Sequence, residues 1–293
     1  MMPFGQYKGE LGYQMLVADV LDLGVDTPDR TGIGCRKIFN AQLIYNVGEV
    51  FPFSTIRPAP LRLAFEEFSL FLKGETDTTI LEEKGINFWK GNTSREFLDN
   101  RGMQNYPVGS LGKSYSYQFR NFNGEVDQLQ KVYDQLINDP FSRRHLVTFW
   151  NPADEDEMPL TPCWYEHIFF VDQKENGRKV LNMKLNSRSL DLIFGATFAT
   201  QQYALYLTMM AKITDMDVGW VVCDLTDVHI YNNQIEFAQE VVNRDLGKVG
   251  TINFKAPLET LEDMINYKWD DIEVVDLEVN DAPFKAKRPP MAV

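Results

Sequence analysis

Hydrophobic positions along the chain recur with two different periods, and these periods lay out most of the elements. The segment 6–24 has apolar spacing suited to a first helix that ends at Gly24. Residues 61–75 form a strongly apolar helical stretch with Glu66 and Glu67 embedded in it. Residues 94–102 open on a serine cap and predict a short helix. Over 126–140 the residues Leu129, Val132, Tyr133, Leu136 and Ile137 share one helical face, and Pro140 stops the run. The stretch 196–214 is the most strongly buried helical pattern, and 233–245 predicts a last long helix. Looser alternation marks strands at 36–47, through Ile38, Asn40, Leu43 and Tyr45, and at 145–151, 167–173 and 219–232. Between 174 and 189 the chain turns at Asn176-Gly177 and returns as a second strand of a hairpin. Strands and helices intermix without strict βαβ alternation, which predicts an α+β fold rather than a doubly wound sheet. No repeat, low-complexity tract or linker interrupts the 293 residues, so a single domain over 1–293 is expected.

Composition narrows the function without naming it. Apolar residues make up 44% and charged residues 24%, an ordinary globular balance. The net charge of −13 argues against nucleic acid or an anionic membrane as partner, yet leaves room for a small anion held by local arginines. Three cysteines without CxxC spacing and three scattered histidines give neither a disulfide framework nor a metal site. The N-terminus lacks a basic start followed by an apolar run, and no stretch approaches the ~20 apolar residues that span a bilayer. The expected setting is soluble and cytoplasmic.

Candidate chemistry begins with "LTPCWYEH" at 160–167, where Cys163 follows a proline and precedes a strand. A buried structural thiol is the commoner role for such a residue; a nucleophile would need a thiol activated by neighbouring arginines. Arginines in short loop motifs are available: Arg30 in "DRTGIG", Arg143 and Arg144 in "SRRH", and Arg188 beside Ser189 in "NSRSLD". Any one of them taken alone is most often a solvated surface residue, but a guanidinium fork in a loop also suits an oxyanion. Glu67, inside "AFEEFSLFL", is a candidate general acid if it faces the apolar side, and a surface carboxylate if it does not. "VHIYNN" places His229 and Tyr231 on one face of a strand, fit for a sugar hydroxyl or for a core hydrogen-bonded pair.

Read in order, "DRTGIG", "FLKGETDT", "NFWKGNTSREFLD", "LGKSYSYQFR", "DPFSRRHLV", "PCW", "SRSLDLIFG", "DVHIYNN" and the terminal "PPMAV" resemble the thymidylate synthase family from about Arg30 to Val293. The resemblance implies a mixed sheet flanked by helices, and a homodimer packed sheet to sheet. It implies one-carbon transfer from 5,10-methylenetetrahydrofolate to C5 of a pyrimidine nucleotide. Carried over by position, Cys163 would add to C6, with Glu67 handling protons and Tyr115 assisting the water network. Arg30, Arg188 and Ser189 would hold the 5′-phosphate, with Arg143 and Arg144 reaching in from the partner subunit. His229 and Tyr231 would take the ribose hydroxyl. Trp89, Asn92 and Asp191 would face the folate, and Val293 would close over the complex.

Two positions depart from the family's pattern. Trp164 stands where a histidine usually follows the cysteine, and Ala199 stands where an asparagine reads the uracil edge. Deoxycytidylate hydroxymethylases, which trap the exocyclic methylene with water, also change both positions. The leading expectation is therefore 5-hydroxymethylation of deoxyuridylate or deoxycytidylate, with ordinary thymidylate synthesis as the alternative. A nucleotide-binding relative without catalysis is a third reading, and a cysteine hydrolase lacks placed partners. Gln201 or Gln202, on the next helical turn, could replace the missing reader.

Overall fold

In the computed structural model, which describes residues 5–289, ten strands and nine α-helices are ordered along the chain. The strands are Gln6–Lys8 (β1), Val25–Thr27 (β2), Cys35–Asn46 (β3), Leu146–Thr148 (β4), Trp164–Gln173 (β5), Lys179–Ser187 (β6), Leu190–Asp191 (β7), Asp217–Tyr231 (β8), Thr251–Phe254 (β9) and Ile272–Val275 (β10). The helices are Gly9–Leu23 (α1), Leu61–Leu72 (α2), Thr79–Glu83 (α3), Arg95–Asn100 (α4), Tyr115–Asn121 (α5), Gln128–Asn138 (α6), Gly195–Ile213 (α7), Ile235–Val242 (α8) and Leu261–Asn266 (α9). The main sheet runs β1-β3-β8-β6-β5-β4, with β2 beside β3 and β7 beside β8; β9 and β10 form a small separate pair. Parallel and antiparallel neighbours mix: β3 and β5 run against their partners β8 and β6, whereas β6 runs with β8. The fold is a mixed sheet flanked by helices, in agreement with the α+β expectation. Among the described residues no helix is long and apolar enough to cross a membrane.

The core lies between the sheet and α7. Nearly every residue of α7 is buried, and Tyr206 at its middle is fully enclosed. Phe68 of α2 packs on Tyr206 with ring centroids 4.9 Å apart, which clamps α2 onto α7. Each fully buried large apolar side chain there contributes about 1.5–3 kcal/mol relative to exposure. The same packing turns one side of α2 inward and so decides the ambiguity of the adjacent glutamates. Glu67 points into the interior, while Glu66 pairs with Lys84 at 2.6 Å near the surface.

Several element boundaries differ from the sequence reading. The first helix starts at Gly9 (φ +64°) rather than at residue 6, because Gln6–Lys8 pairs in parallel with β3. Gly12 lets the helix fold back over that strand: a Cβ there would lie 2.5 Å from the Tyr7 carbonyl carbon. The second helix ends at Leu72, since Gly74 is left-handed at φ +70°. The strand expected over 145–151 pairs only at Leu146–Thr148. The last long helix is Ile235–Val242, preceded by a 3-10 turn at Asn232–Gln234.

Candidate active site

Cys163 sits where β5 begins, and the strand ladder fixes it. Its carbonyl accepts from Arg188 N at 3.0 Å, and its own N–H donates to the Tyr115 hydroxyl at 2.8 Å. The β5–β6 register shifts between Trp164 and Glu166, an irregularity of the kind that re-aims neighbouring side chains. Arg188 holds the preceding loop as well: Nε donates to Pro162 O at 2.9 Å, and Nη2 donates to Thr161 O at 2.9 Å and to Thr161 Oγ1 at 2.8 Å. Its Nη1 makes no hydrogen bond among the described residues. One guanidinium thus shapes the thiol loop and keeps a donor free.

Two cavities meet at Cys163. The first, about 280 Å³, is walled by Phe88, Trp89, Phe194 and Phe198, with Glu67, Asn92, Asp191 and Gln202 as its polar groups. The second, about 530 Å³, carries Arg30, Lys37, Arg101 and Arg188 together with Ser189 and His229. Leu160, Thr161, Cys163 and Tyr231 line both. The sulfur therefore stands between an aromatic slot and a cationic basin.

The cationic basin owes its form to an acidic residue that is internally used. Asp29 accepts from Gly34 N at 2.7 Å, Thr31 N at 3.0 Å and Thr31 Oγ1 at 2.6 Å. Burial would raise its carboxyl, but these donors outweigh it and hold the group below its ordinary value. The turn they build presents Arg30 to the cavity. Gly34, at φ +78°, is required because a Cβ would lie 2.6 Å from Asn232 Nδ2. Asp227 is likewise engaged: although burial opposes it, His229 Nδ1 at 2.9 Å and Lys37 at 2.6 Å keep it ionised. With Asp29 and Asp227 engaged, Arg30 and Arg188 Nη1 are available to an anion, and the exposed Glu155 is the remaining acidic group of the lining. The His229 and Tyr231 rings stand 5.0 Å apart, edge to face; Tyr231 lines both cavities and His229 the second. Burial pushes the Tyr231 hydroxyl up to about 12, so it is a neutral donor near pH 7.

In the aromatic slot, Glu67 Oε1 accepts from Trp89 Nε1 at 2.8 Å and Oε2 accepts from Gln202 Nε2 at 3.1 Å. Burial pushes its carboxyl up to about 7, against the lowering effect of both donors. Such a group is poised between acid and base near neutrality. Burial also raises the Cys163 thiol; Arg188 opposes this and Asp191 reinforces it. The lowering by arginine that a nucleophilic Cys163 would need is thus outweighed by desolvation within one protomer. Tyr115 is raised well above its ordinary value by burial and acts as a neutral hydroxyl. Asp191 is rigid, with Oδ1 taking Ile193 N and Phe194 N at 3.0 Å each and Oδ2 taking Gln234 Nε2 at 2.9 Å. Asn92 is buried and makes no side-chain hydrogen bond among the described residues. The slot thus combines aromatic walls with a carboxylate held by three donors and a carboxamide that makes no side-chain hydrogen bond among the described residues.

The structure brings Cys163, Glu67, Tyr115, Trp89, Asn92, Asp191, Ala199 and Tyr231 around the slot, and Arg30, Arg188, Ser189 and His229 around the basin. Arg143 and Arg144 are exposed and line neither cavity of their own protomer. Val293 lies outside the described residues. Sequence reasoning missed Lys37, Arg101, Phe198 and Arg288. The first two were hidden in a strand and at a helix end. Arg288 stands 5.4 Å over the Phe194 ring at the slot's rim, a tertiary contact with no local signal.

Comparison with known proteins agrees with this geometry. A family model for thymidylate synthase matches residues 11–288. The chain is 33% identical to the thymidylate synthase of Saccharomyces cerevisiae, over 93% of this chain and 94% of that one. It is 32% identical to the bifunctional dihydrofolate reductase-thymidylate synthase of Paramecium tetraurelia and 34% identical to that of Zea mays. It covers 92% and 80% of its own length in these matches, and spans 59% and 46% of those longer proteins. Members of this family use 5,10-methylenetetrahydrofolate as co-substrate. The chain belongs to the thymidylate synthase family.

Proposed function

We propose that the protein methylates C5 of 2′-deoxyuridine 5′-monophosphate, as a single catalytic domain over 1–293 in the cytoplasm. The observation that carries this reading is the placement of Cys163 at the junction of the two cavities. The phosphate binds Arg30, Arg188 Nη1 and Ser189, and the ribose hydroxyl meets His229 and Tyr231. Cys163 then gives up its thiol proton to solvent in the open basin and adds to C6 as the thiolate, which puts electron density on C5. The one-carbon unit joins C5 and the C5 proton leaves with Glu67 relaying protons. The bond from that carbon to the folate nitrogen then breaks, the reduced folate would supply the hydride that makes the methyl group and depart as dihydrofolate, and the C6–S bond breaks to release the product. Asn92, Trp89 and Asp191 orient the folate.

The curated relatives support methyl transfer over the hydroxymethylation favoured by Trp164 and Ala199 alone. Trp164 is buried against Tyr203, with ring centroids 6.0 Å apart, so it offers that wall an apolar surface rather than a seat for water. The two products differ in redox balance. Methyl transfer reduces the one-carbon unit and leaves dihydrofolate, whereas hydroxymethylation adds water and leaves tetrahydrofolate. Absorbance at the dihydrofolate band, with deoxyuridylate as substrate, is expected to rise in a one-to-one ratio with thymidylate. Turnover without that rise would establish the hydroxymethylase instead.

The exposed Arg143 and Arg144 fit a homodimer in which each subunit lends them to its partner's phosphate. Phe170 and Trp220 on the sheet are also exposed and give such a dimer an apolar face. Mixing Arg144→Ala with Cys163→Ala then restores about a quarter of wild-type activity after random subunit exchange. A mixture that exchanges subunits yet stays inactive contradicts shared sites.

A further inference from the structure

We propose that Gln202 is the base-reading residue of this enzyme, taking over one helical turn later the role that Ala199 cannot perform. Residues 199 and 202 lie on the same face of α7, and both line the aromatic slot. Glutamine is longer than asparagine by one methylene, which extends its reach from the more distant turn. Its neighbour Gln201 is turned away, with Nε2 on Ala59 O at 3.1 Å and Thr197 O at 3.0 Å. Gln202 is buried, its Nε2 donates to Glu67 Oε2 at 3.1 Å, and its Oε1 makes no hydrogen bond among the described residues.

The bond to Glu67 fixes which end of the amide faces which part of the base. An exchange of amide O and N would set Oε1 against a carboxylate oxygen, acceptor against acceptor, when Glu67 is ionised. The assignment rests on the reading in which Glu67 handles the proton at C5. In that reading the Nε2 end of the amide lies towards C4 and the Oε1 end towards N3. The second Nε2 hydrogen then meets the C4 oxygen of uracil, and Oε1 accepts from uracil N3–H. Cytosine presents the reverse pattern, with donor facing donor at C4 and acceptor facing acceptor at N3. In its ionised form, which predominates above about pH 7, Glu67 therefore makes Gln202 a uracil reader, and discrimination at such pH follows from the mismatched buried pairs that cytosine would create.

The test compares deoxyuridylate and deoxycytidylate by calorimetric binding and by kcat/KM in three proteins. Wild type is expected to prefer deoxyuridylate by about 10-fold or more. Gln202→Ala should bring the two bases to within about threefold of each other, through loss of deoxyuridylate affinity. Ala199→Asn/Gln202→Ala, which moves a carboxamide back one turn, should restore the preference. A merely structural role in holding Glu67 would lower kcat for both bases and leave the binding ratio unchanged. A Gln202→Ala ratio equal to that of wild type, or a wild type that does not discriminate, overturns the assignment. Binding of both nucleotides without dihydrofolate formation would instead overturn the proposed methyl transfer and leave the base-reading comparison intact.

Discussion

Cys163→Ser loses turnover by a factor of about 10⁴ or more, with the fold retained. A serine hydroxyl is too weakly acidic to add to C6, and it leaves poorly once C5 has reacted. The exchange is nearly isosteric, and the backbone bonds of residue 163, to Tyr115 and from Arg188, do not involve the side chain. The unfolding midpoint therefore changes little, by the equivalent of about 1 kcal/mol or less. Steady-state kinetics beside thermal unfolding separates the two effects. Loss of stability in step with activity would make Cys163 a packing residue.

Glu67→Gln lowers kcat by about 10²–10⁴-fold and removes an inflection near pH 7 from the pH–rate profile. The amide cannot exchange protons, and it has one acceptor oxygen where Trp89 and Gln202 now find two. Stability supplies an independent reading of the same group. Burial raises the folded carboxyl from 4.5 to about 7, so its stabilising contribution is full below pH 4.5 and is lost as pH rises through about 7. The loss across that window is about 3 kcal/mol. Urea unfolding from pH 4.5 to 8 should show this decline in wild type and not in the glutamine variant. Parallel curves would mean that Glu67 titrates at an ordinary value.

Long periodic segments were legible from sequence because burial imposes its period on the residues. Helix α7 and the β5–β6 hairpin illustrate this, the first through continuous apolar burial and the second through Asn176-Gly177, where Gly177 takes φ +82°. The Gln6–Lys8 strand was not legible, since three residues carry no period and their pairing with β3 is a distant contact. The β9–β10 pair escaped for the same reason. In the site, motif order pointed to Cys163, Arg188 and Glu67, but their environments came only from packing. Which of Glu66 and Glu67 faces inward depends on α2 lying against α7. The raised Cys163 thiol depends on burial that overrides its arginine neighbour. Gln202 was one of two equivalent candidates until helix rotation set one on Ala59 and the other on Glu67.

During turnover the Cys163 sulfur is expected to bond to the pyrimidine. A 5-fluoro-2′-deoxyuridylate carries fluorine where the departing C5 proton would be, so the reaction halts with protein, nucleotide and one-carbon unit joined. Intact mass spectrometry after incubation with this nucleotide and 5,10-methylenetetrahydrofolate should show the protein heavier by both ligands, with the added mass on the peptide containing Cys163. The Cys163→Ser protein should keep its unmodified mass. An unmodified wild type, or an adduct that persists in Cys163→Ser, contradicts the account.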